Sequence, residues 1–175
     1  DLLQHFRTAG KKTLGVDPAS GPAVAAVERG LNVIEDAFGE QLAQDISRDY
    51  GQATLVIANH VTAHVIDLVD FLGGVQTLLA PDGVAILEVQ YLPDLLVGNQ
   101  FDHVYHEHRY FFSLLALEHA LSRVGLSPID ARIIEPQGGS MRLVVMHDSA
   151  ASVVGEYARL NRVRQAERKL QGLDV

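Results

Sequence analysis

Residues 53–89 read ATLVIANHVTAHVIDLVDFLGGVQTLLAPDGVAILEV. The run ATLVIA at 53–58 is apolar without interruption, the pattern of a strand covered on both faces as in a parallel sheet. Leu68, Phe71, Leu72, Val75 and Leu79 then recur at helical spacing, Pro81-Asp82-Gly83 turns the chain, and VAILEV at 84–89 supplies a second apolar strand. Strand, helix and strand in that order predict an open, mostly parallel α/β sheet, whose ligands lie beyond the carboxyl ends of the strands.

The alternation continues on both sides. Upstream, Leu2, Leu3 and Phe6 make a short helical face that Gly10 ends. Residues 13–16 predict a strand stopping at Asp17-Pro18, then a helix with Ser20 as N-cap, Pro22 in its first turn and Gly30 as its stop. Residues 31–34 predict a second strand running into Glu35-Asp36-Ala37-Phe38, and Leu42, Ile46 and Tyr50 mark the next helix. Downstream, Ser113 caps a helix carrying Leu114, Leu117, Leu121 and Val124, stopped by Gly125. Residues 129–134 and 143–146, joined across Gln137-Gly138-Gly139, predict two antiparallel strands added at the sheet edge. From Val153 to about Leu170 one last helix carries Arg159, Arg162, Arg164, Arg168 and Lys169, a solvated or covering face. The expected fold is therefore a doubly wound, Rossmann-like α/β sheet with an antiparallel C-terminal edge hairpin. Such a sheet opens on a strand and a glycine-rich turn. Here the residues open on a helix, which predicts an interior portion of a longer protein.

Composition narrows the function. The 175 residues suffice for one domain with a substantial core. A net charge of −8, from 14 basic and 22 acidic residues, disfavours general affinity for nucleic acid or anionic membranes. With no cysteine, disulfides, thiolate zinc sites and a cysteine nucleophile are excluded within these residues. No apolar run approaches the ~20 residues that span a bilayer, and no signal-peptide pattern opens the chain, so a cytoplasmic protein is expected. The oligomeric state is left open.

Asp17, Asp36 and Asn59 all fall at predicted strand ends, and after Val89 comes FDHVYHEHRYFF at 101–112. His, Glu and Tyr together can hold or move protons near neutral pH once neighbours tune them. Strand geometry would put Tyr105 and Glu107 on one face and His106 and His108 on the other, so a shared pocket requires a loop or bent turn. His103, His106, Glu107 and His108 are potential metal ligands, but their spacing is not that of a zinc-binding helix, and no metal is expected.

Gly15-Val16-Asp17-Pro18, Asn59 with Ala63-His64-Val65, Pro81-Asp82-Gly83, Glu88-Val89, Asn99-Gln100-Phe101-Asp102, Tyr105-His106-Glu107-His108 and Gly138-Gly139-Ser140-Met141-Arg142 follow in an order that resembles a family. It is the S-adenosylmethionine-dependent sugar C-methyltransferases, which act on nucleotide-diphosphate 4-ketohexoses. The YHEH stretch is the specific part of the match. The resemblance implies residues 1–150 as a methyltransferase core lacking the first strand and glycine loop, and residues 151–175 as a C-terminal basic helix leading to a further segment. It implies S-adenosylmethionine as cofactor and a nucleotide sugar as partner. His108 would be the base, with Tyr105, Glu107 and His64 positioning the sugar or its enolate. Asp17 would take the ribose, Asp36 the adenine amino group with Ala37 or Phe38 against the ring, and Asn59 the methionine portion; His103 and His106 would hold the loop. The Gly138-Gly139-Ser140 turn with Arg142 suits either a diphosphate or a plain hairpin. A nicotinamide-dependent oxidoreductase and a non-catalytic nucleotide-binding module stand as alternatives.

Overall fold

The computed structural model of the chain describes residues 2–154 and 157–170. In order come α1 (Leu2–Thr8), β1 (Gly15–Val16), α2 (Ser20–Glu28), β2 (Val33–Ile34), α3 (Glu40–Tyr50), β3 (Ala53–Asn59), α4 (Leu68–Leu78) and β4 (Leu79–Gln90). Then follow α5 (Leu92–Val97), α6 (Leu114–Ser122), β5 (Leu126–Ile134), β6 (Ser140–His147), α7 (Asp148–Val154) and α8 (Ala158–Leu170). Among the described residues no helix is long and apolar enough to cross a membrane.

Strand β4 is the axis of the four-stranded sheet, whose order is β3-β4-β6-β5. β3 runs parallel to it with Ile57 opposite Ile86 and Asn59 opposite Glu88; β6 runs antiparallel with Arg142 opposite Glu88. Because strand side chains alternate, Ala85, Leu87 and Val89 share one face of β4 and Glu88 and Gln90 the other. The first three are fully buried against Leu72 and Val75 of α4, Leu114, Leu117 and Leu121 of α6, and Leu143 and Val145 of β6. A smaller cluster around Ala43, Ile46 and Leu78 collects Val16, Ile34 and Val56, so the two-stranded parallel sheet β1-β2 packs on α3 beside β3 without pairing to it. The expected Rossmann-like α/β architecture with antiparallel C-terminal strands is the one observed.

Several boundaries differ for local reasons. Leu79 is extended (φ −72°, ψ 130°) and opens β4 instead of closing α4, and residues 81–83 pass into the strand across a register break opposite Ala53 and Leu55. The N-cap of α2 is Ala19, not Ser20, because the Asp17 carboxylate accepts from the Ala19 N–H (2.9 Å) and the Ser20 hydroxyl is drawn to Glu35. The hairpin does not simply extend the sheet, since its second strand, β6, lies between β4 and β5. The single terminal helix is two, α7 and α8, with Gly155 and Glu156 outside the described residues.

Nor is α8 merely a solvated basic face. Leu160 and Glu167 are buried, Arg159 pairs with Asp130 of β5, and Arg164 pairs with Glu118 of α6. Glu167 accepts the Leu114 and Leu115 N–H groups (2.6 and 3.0 Å), two donors that the first turn of α6 leaves without intrahelical partners. A carboxylate there also meets the positive end of the helix dipole. Burial, reinforced by this carboxylate, pushes the Tyr91 hydroxyl well above its usual range. Glu167→Ala should therefore cost about 2–4 kcal/mol, read from urea unfolding, with Glu167→Gln recovering part of the loss. The Arg159 hydrogen bond holds the Asp130 carboxyl below its usual range. That contribution is present above the ordinary carboxylate pKa and is lost as pH falls through the depressed one, so Asp130→Asn should flatten the acid limb of the stability profile.

Candidate active site

Polar side chains gather where the carboxyl ends of β3 and β4 meet. The chain leaves β3 through His60, held in the left-handed region at φ +54°. The His60 N–H donates to the Glu88 carbonyl (2.8 Å), and its Nε2 lies 3.0 Å from Glu88 Oε1. Across the β4–β6 ladder, Glu88 Oε2 accepts from Arg142 Nε (2.9 Å) and Nη2 (2.8 Å). Glu88 is only 5% exposed, and both its oxygens are satisfied by charged or polarised donors.

Gln90 shares that face of β4, and its Nε2 donates to His103 Nδ1 (2.9 Å), which places the His103 proton on Nε2. Residues 101–108 are a bent loop. Phe101–His103 form one 3-10 turn, and a second closes as the His108 N–H donates to the Tyr105 carbonyl (3.0 Å). A turn closed from its first to its fourth residue brings those two side chains together and leaves the middle pair outside. Tyr105 OH accordingly lies 3.2 Å from His108 Nε2, whereas His106 and Glu107 are exposed at the corners. His108 Nδ1 donates to the His103 carbonyl (2.8 Å). A carbonyl can only accept, so the neutral imidazole carries its proton on Nδ1 and keeps its lone pair on Nε2, where Tyr105 donates.

His64 arrives from the β3 side, its ring centroid 4.8 Å from that of His108. The Arg109 N–H donates to the Ala63 carbonyl (2.8 Å) and the Tyr110 hydroxyl to the Ile66 carbonyl (3.1 Å), which fixes this approach. Together with Asp102 and Gln137, these His, Tyr and Gln side chains line a cavity of about 260 Å³.

Three of the four expected catalytic residues, His108, Tyr105 and His64, thus converge. Glu107 does not line the cavity, because it occupies a turn corner, where its carboxylate lies 3.8 Å from His106 Nε2. The expected cofactor residues stand elsewhere on the same strand ends. Asp17 follows β1 with its N–H on the Ile34 carbonyl (3.1 Å), and the Asp36 carboxylate accepts from the Ala37 N–H (2.7 Å). The Phe38 ring packs edge-on against Phe71, with centroids 5.7 Å apart, and Asn59 is exposed beside His60. None of the five lines the 260 Å³ cavity.

The glycine turn before β6 resolves toward packing. At Gly138 (φ +75°) an added Cβ would fall 1.8 Å from Gln100 Oε1, and Gln100 Nε2 donates to the Gly138 carbonyl (2.7 Å). Arg142 is committed to Glu88. Sequence reasoning passed over the pairs Glu88–His60 and Gln90–His103. A signal for them existed: in VAILEVQ two polar residues two positions apart end an apolar strand and must share a face. Among the described residues no three His, Asp or Glu side chains converge as a metal-ligand set.

Paired imidazole and phenol groups thus stand at the carboxyl ends of an α/β sheet, the edge at which such sheets hold small molecules. The methyltransferase domain family model matches residues 1–131, and the chain belongs to that family. It is 37% identical over 171 residues to the C-methyltransferase NovU of Streptomyces niveus, covering 98% of this chain and 40% of that protein. The chain thus spans well under half the length of this relative. The magnesium protoporphyrin IX methyltransferase of Synechocystis PCC 6803, solved with bound SAH, superposes with a TM-score of 0.63 at 17% identity over 83% of this chain and 68% of that one. A putative methyltransferase of Haloferax volcanii, solved with its Trm112 activator, gives 0.66 at 15% identity over 83% and 76%. These two likenesses establish the fold, and the methyltransferase domain expected from the sequence is the one found.

The hydrogen-bond pattern predicts the resting state of His108. Nitrogen NMR of labelled protein with the imidazole neutral should show a protonated Nδ1 and a bare Nε2, and Tyr105→Phe should shift the Nε2 signal alone. The reverse tautomer would refute this arrangement.

Proposed function

We propose that this chain is the core of an S-adenosylmethionine-dependent C-methyltransferase that methylates the carbon beside the ketone of a nucleotide-diphosphate 4-keto-deoxyhexose. The observation carrying this reading is the His108–Tyr105 pair, whose imidazole lone pair is fixed at Nε2 in the cavity wall. The likeness to NovU supports carbon as the atom methylated. Family membership weighs against the nicotinamide-dependent alternative.

The residues present fit the cofactor. Asp17 spends one carboxylate oxygen on its own turn and keeps the other for ribose hydroxyls. Asp36 likewise keeps an oxygen for the adenine amino group. Ala37 and Phe38, the latter braced by Phe71, would flank the adenine ring, and Asn59 would meet the methionine portion. When bound, S-adenosylmethionine supplies an electrophilic methyl group.

This chain's own residues do the proton work. His108 Nε2 removes the proton from the carbon next to the ketone, and the His103 carbonyl on Nδ1–H stabilises the imidazolium that results. Before transfer, the Tyr105 hydroxyl donates to Nε2. As the carbon proton arrives, the Tyr105 hydroxyl turns from Nε2 toward the developing enolate oxygen, which frees the single Nε2 lone pair to take that proton, and the protonated Nε2 is then a donor. His64, packed on His108, orients the ring from its other side. Glu107 at the turn corner would reach the sugar only after the turn rearranges.

We read residues 1–150 as the core without its first strand and glycine loop. The support is geometric: β1 and β3 share an apolar cluster yet pair with no common strand.

In the complete protein, His108→Ala should lower kcat by about 10²–10⁴-fold while S-adenosylhomocysteine affinity stays near wild type. Turnover near the original rate would remove His108 as base. Asp17→Ala should weaken S-adenosylhomocysteine binding about 10–100-fold by calorimetry, through loss of hydrogen bonds to a charged acceptor. A complete protein that binds no S-adenosylhomocysteine would leave the non-catalytic module standing instead.

A further inference from the structure

The proposed chemistry uses one side of the cavity and leaves the other without a task. That side is His60 and Gln90, from the carboxyl ends of neighbouring parallel strands. Each is held by a partner that fixes its hydrogen-bonding sense. Glu88 can only accept from His60 Nε2, so the neutral His60 ring presents Nδ1 as an acceptor. His103 Nδ1 takes the Gln90 amide N–H, which leaves Gln90 Oε1 as an acceptor. Gln90 is 6% exposed, and Oε1 is one of two buried side-chain atoms without a partner among the described residues, the other being Thr62 Oγ1. Buried acceptors are ordinarily satisfied, and an orphan on a residue that lines the cavity calls for a donor. His60 also sits at positive φ, a conformation uncommon outside glycine, though histidine adopts it more readily than most side chains.

We infer that His60 and Gln90 form an acceptor wall that binds hydroxyl groups of the methyl acceptor beside its reacting carbon and so determines which hydroxyl-bearing ring is taken. Two oriented acceptors complement O–H donors; a ketone or carboxylate oxygen offers them nothing. Glu88 and His103 are positioning residues in this scheme, acting through His60 and Gln90. The inference rests on the proposed methyl transfer and adds to it a recognition element separate from the His108–Tyr105 base.

The test uses the complete protein with a nucleoside-diphosphate 4-keto-deoxyhexose and an analogue lacking one ring hydroxyl next to the reacting carbon. Gln90→Met keeps the side-chain shape without the acceptor, and His60→Asn keeps a residue suited to positive φ while withdrawing Nδ1. Both should raise KM for the sugar nucleotide about tenfold, with kcat much less affected and S-adenosylhomocysteine affinity unchanged, the last showing that the fold survives. The wild type should favour the hydroxyl-bearing sugar about tenfold or more, and Gln90→Met should lose that preference. Wild-type KM and preference in both variants, alongside normal wild-type turnover, would overturn the inference and leave the methyl transfer standing. Absence of wild-type turnover on either sugar, despite S-adenosylhomocysteine binding, would instead overturn the proposed substrate and the inference with it.

Discussion

The buried carboxylate of Glu88 is the constraint around which the site end of the sheet is arranged. Taking such a charge out of water costs several kcal/mol unless close, well-oriented partners answer it. Arg142 answers from β6 with two N–H groups, and His60 answers from the turn after β3. The three residues come from separate segments, so satisfying one carboxylate fixes the order and register of β3, β4 and β6 at their functional ends. A slip of one residue would turn Glu88 into the apolar face shared by Leu87 and Val89.

The same economy anchors the loop that carries His108. Tyr91 bridges to Phe112, and the Leu92 N–H donates to the Phe112 carbonyl (2.9 Å), closing residues 92–111 at their base. Directly after that closure Glu167 caps α6, and it also engages the Tyr91 hydroxyl. Helix α8 therefore braces the site from the far side of the sheet. The loop's outer part is a different environment, with Val97, Phe101 and Val104 all exposed. A pinned base and a lightly packed tip let local opening occur without disturbing the strand ends.

What could be read in the sequence, and what could not, follows the range of the interactions involved. Strand-helix alternation, the Ser113 cap and the helix stops at Gly10, Gly30 and Gly125 are set within a few residues, and each is observed, the three glycines at φ +73°, +76° and +74°. The place of β6 between β4 and β5 is a pairing choice between distant segments, which periodicity does not encode. In the candidate site, YHEH stood out by composition, but its geometry follows a four-residue turn and not a strand period, so Tyr105 meets His108 and Glu107 is left outside. His60, ordinary as a letter after Asn59, matters only because Glu88 is opposite.

The remaining mismatch is the most informative one. ATLVIA at 53–58 reads as a strand buried on both faces, yet Thr54 and Leu55 are exposed and β3 pairs on one side only, with β4. An apolar strand with an open backbone edge is a liability that proteins usually cover. The β1-β2 sheet is tied to β3 through Val16 and Val56 in one cluster but not through the backbone. Neighbouring strands stand about 4.8 Å apart, so one further strand between β1 and β3 would pair both edges at once. It would also join the two sheets into one, setting Asp17, Asp36 and Asn59 along a continuous row of strand ends beside the His108 cavity. On that reading the polar residues at 17, 36 and 59 and those at 60–108 would be two halves of one site, with the uncovered edge of β3 as the seam between them.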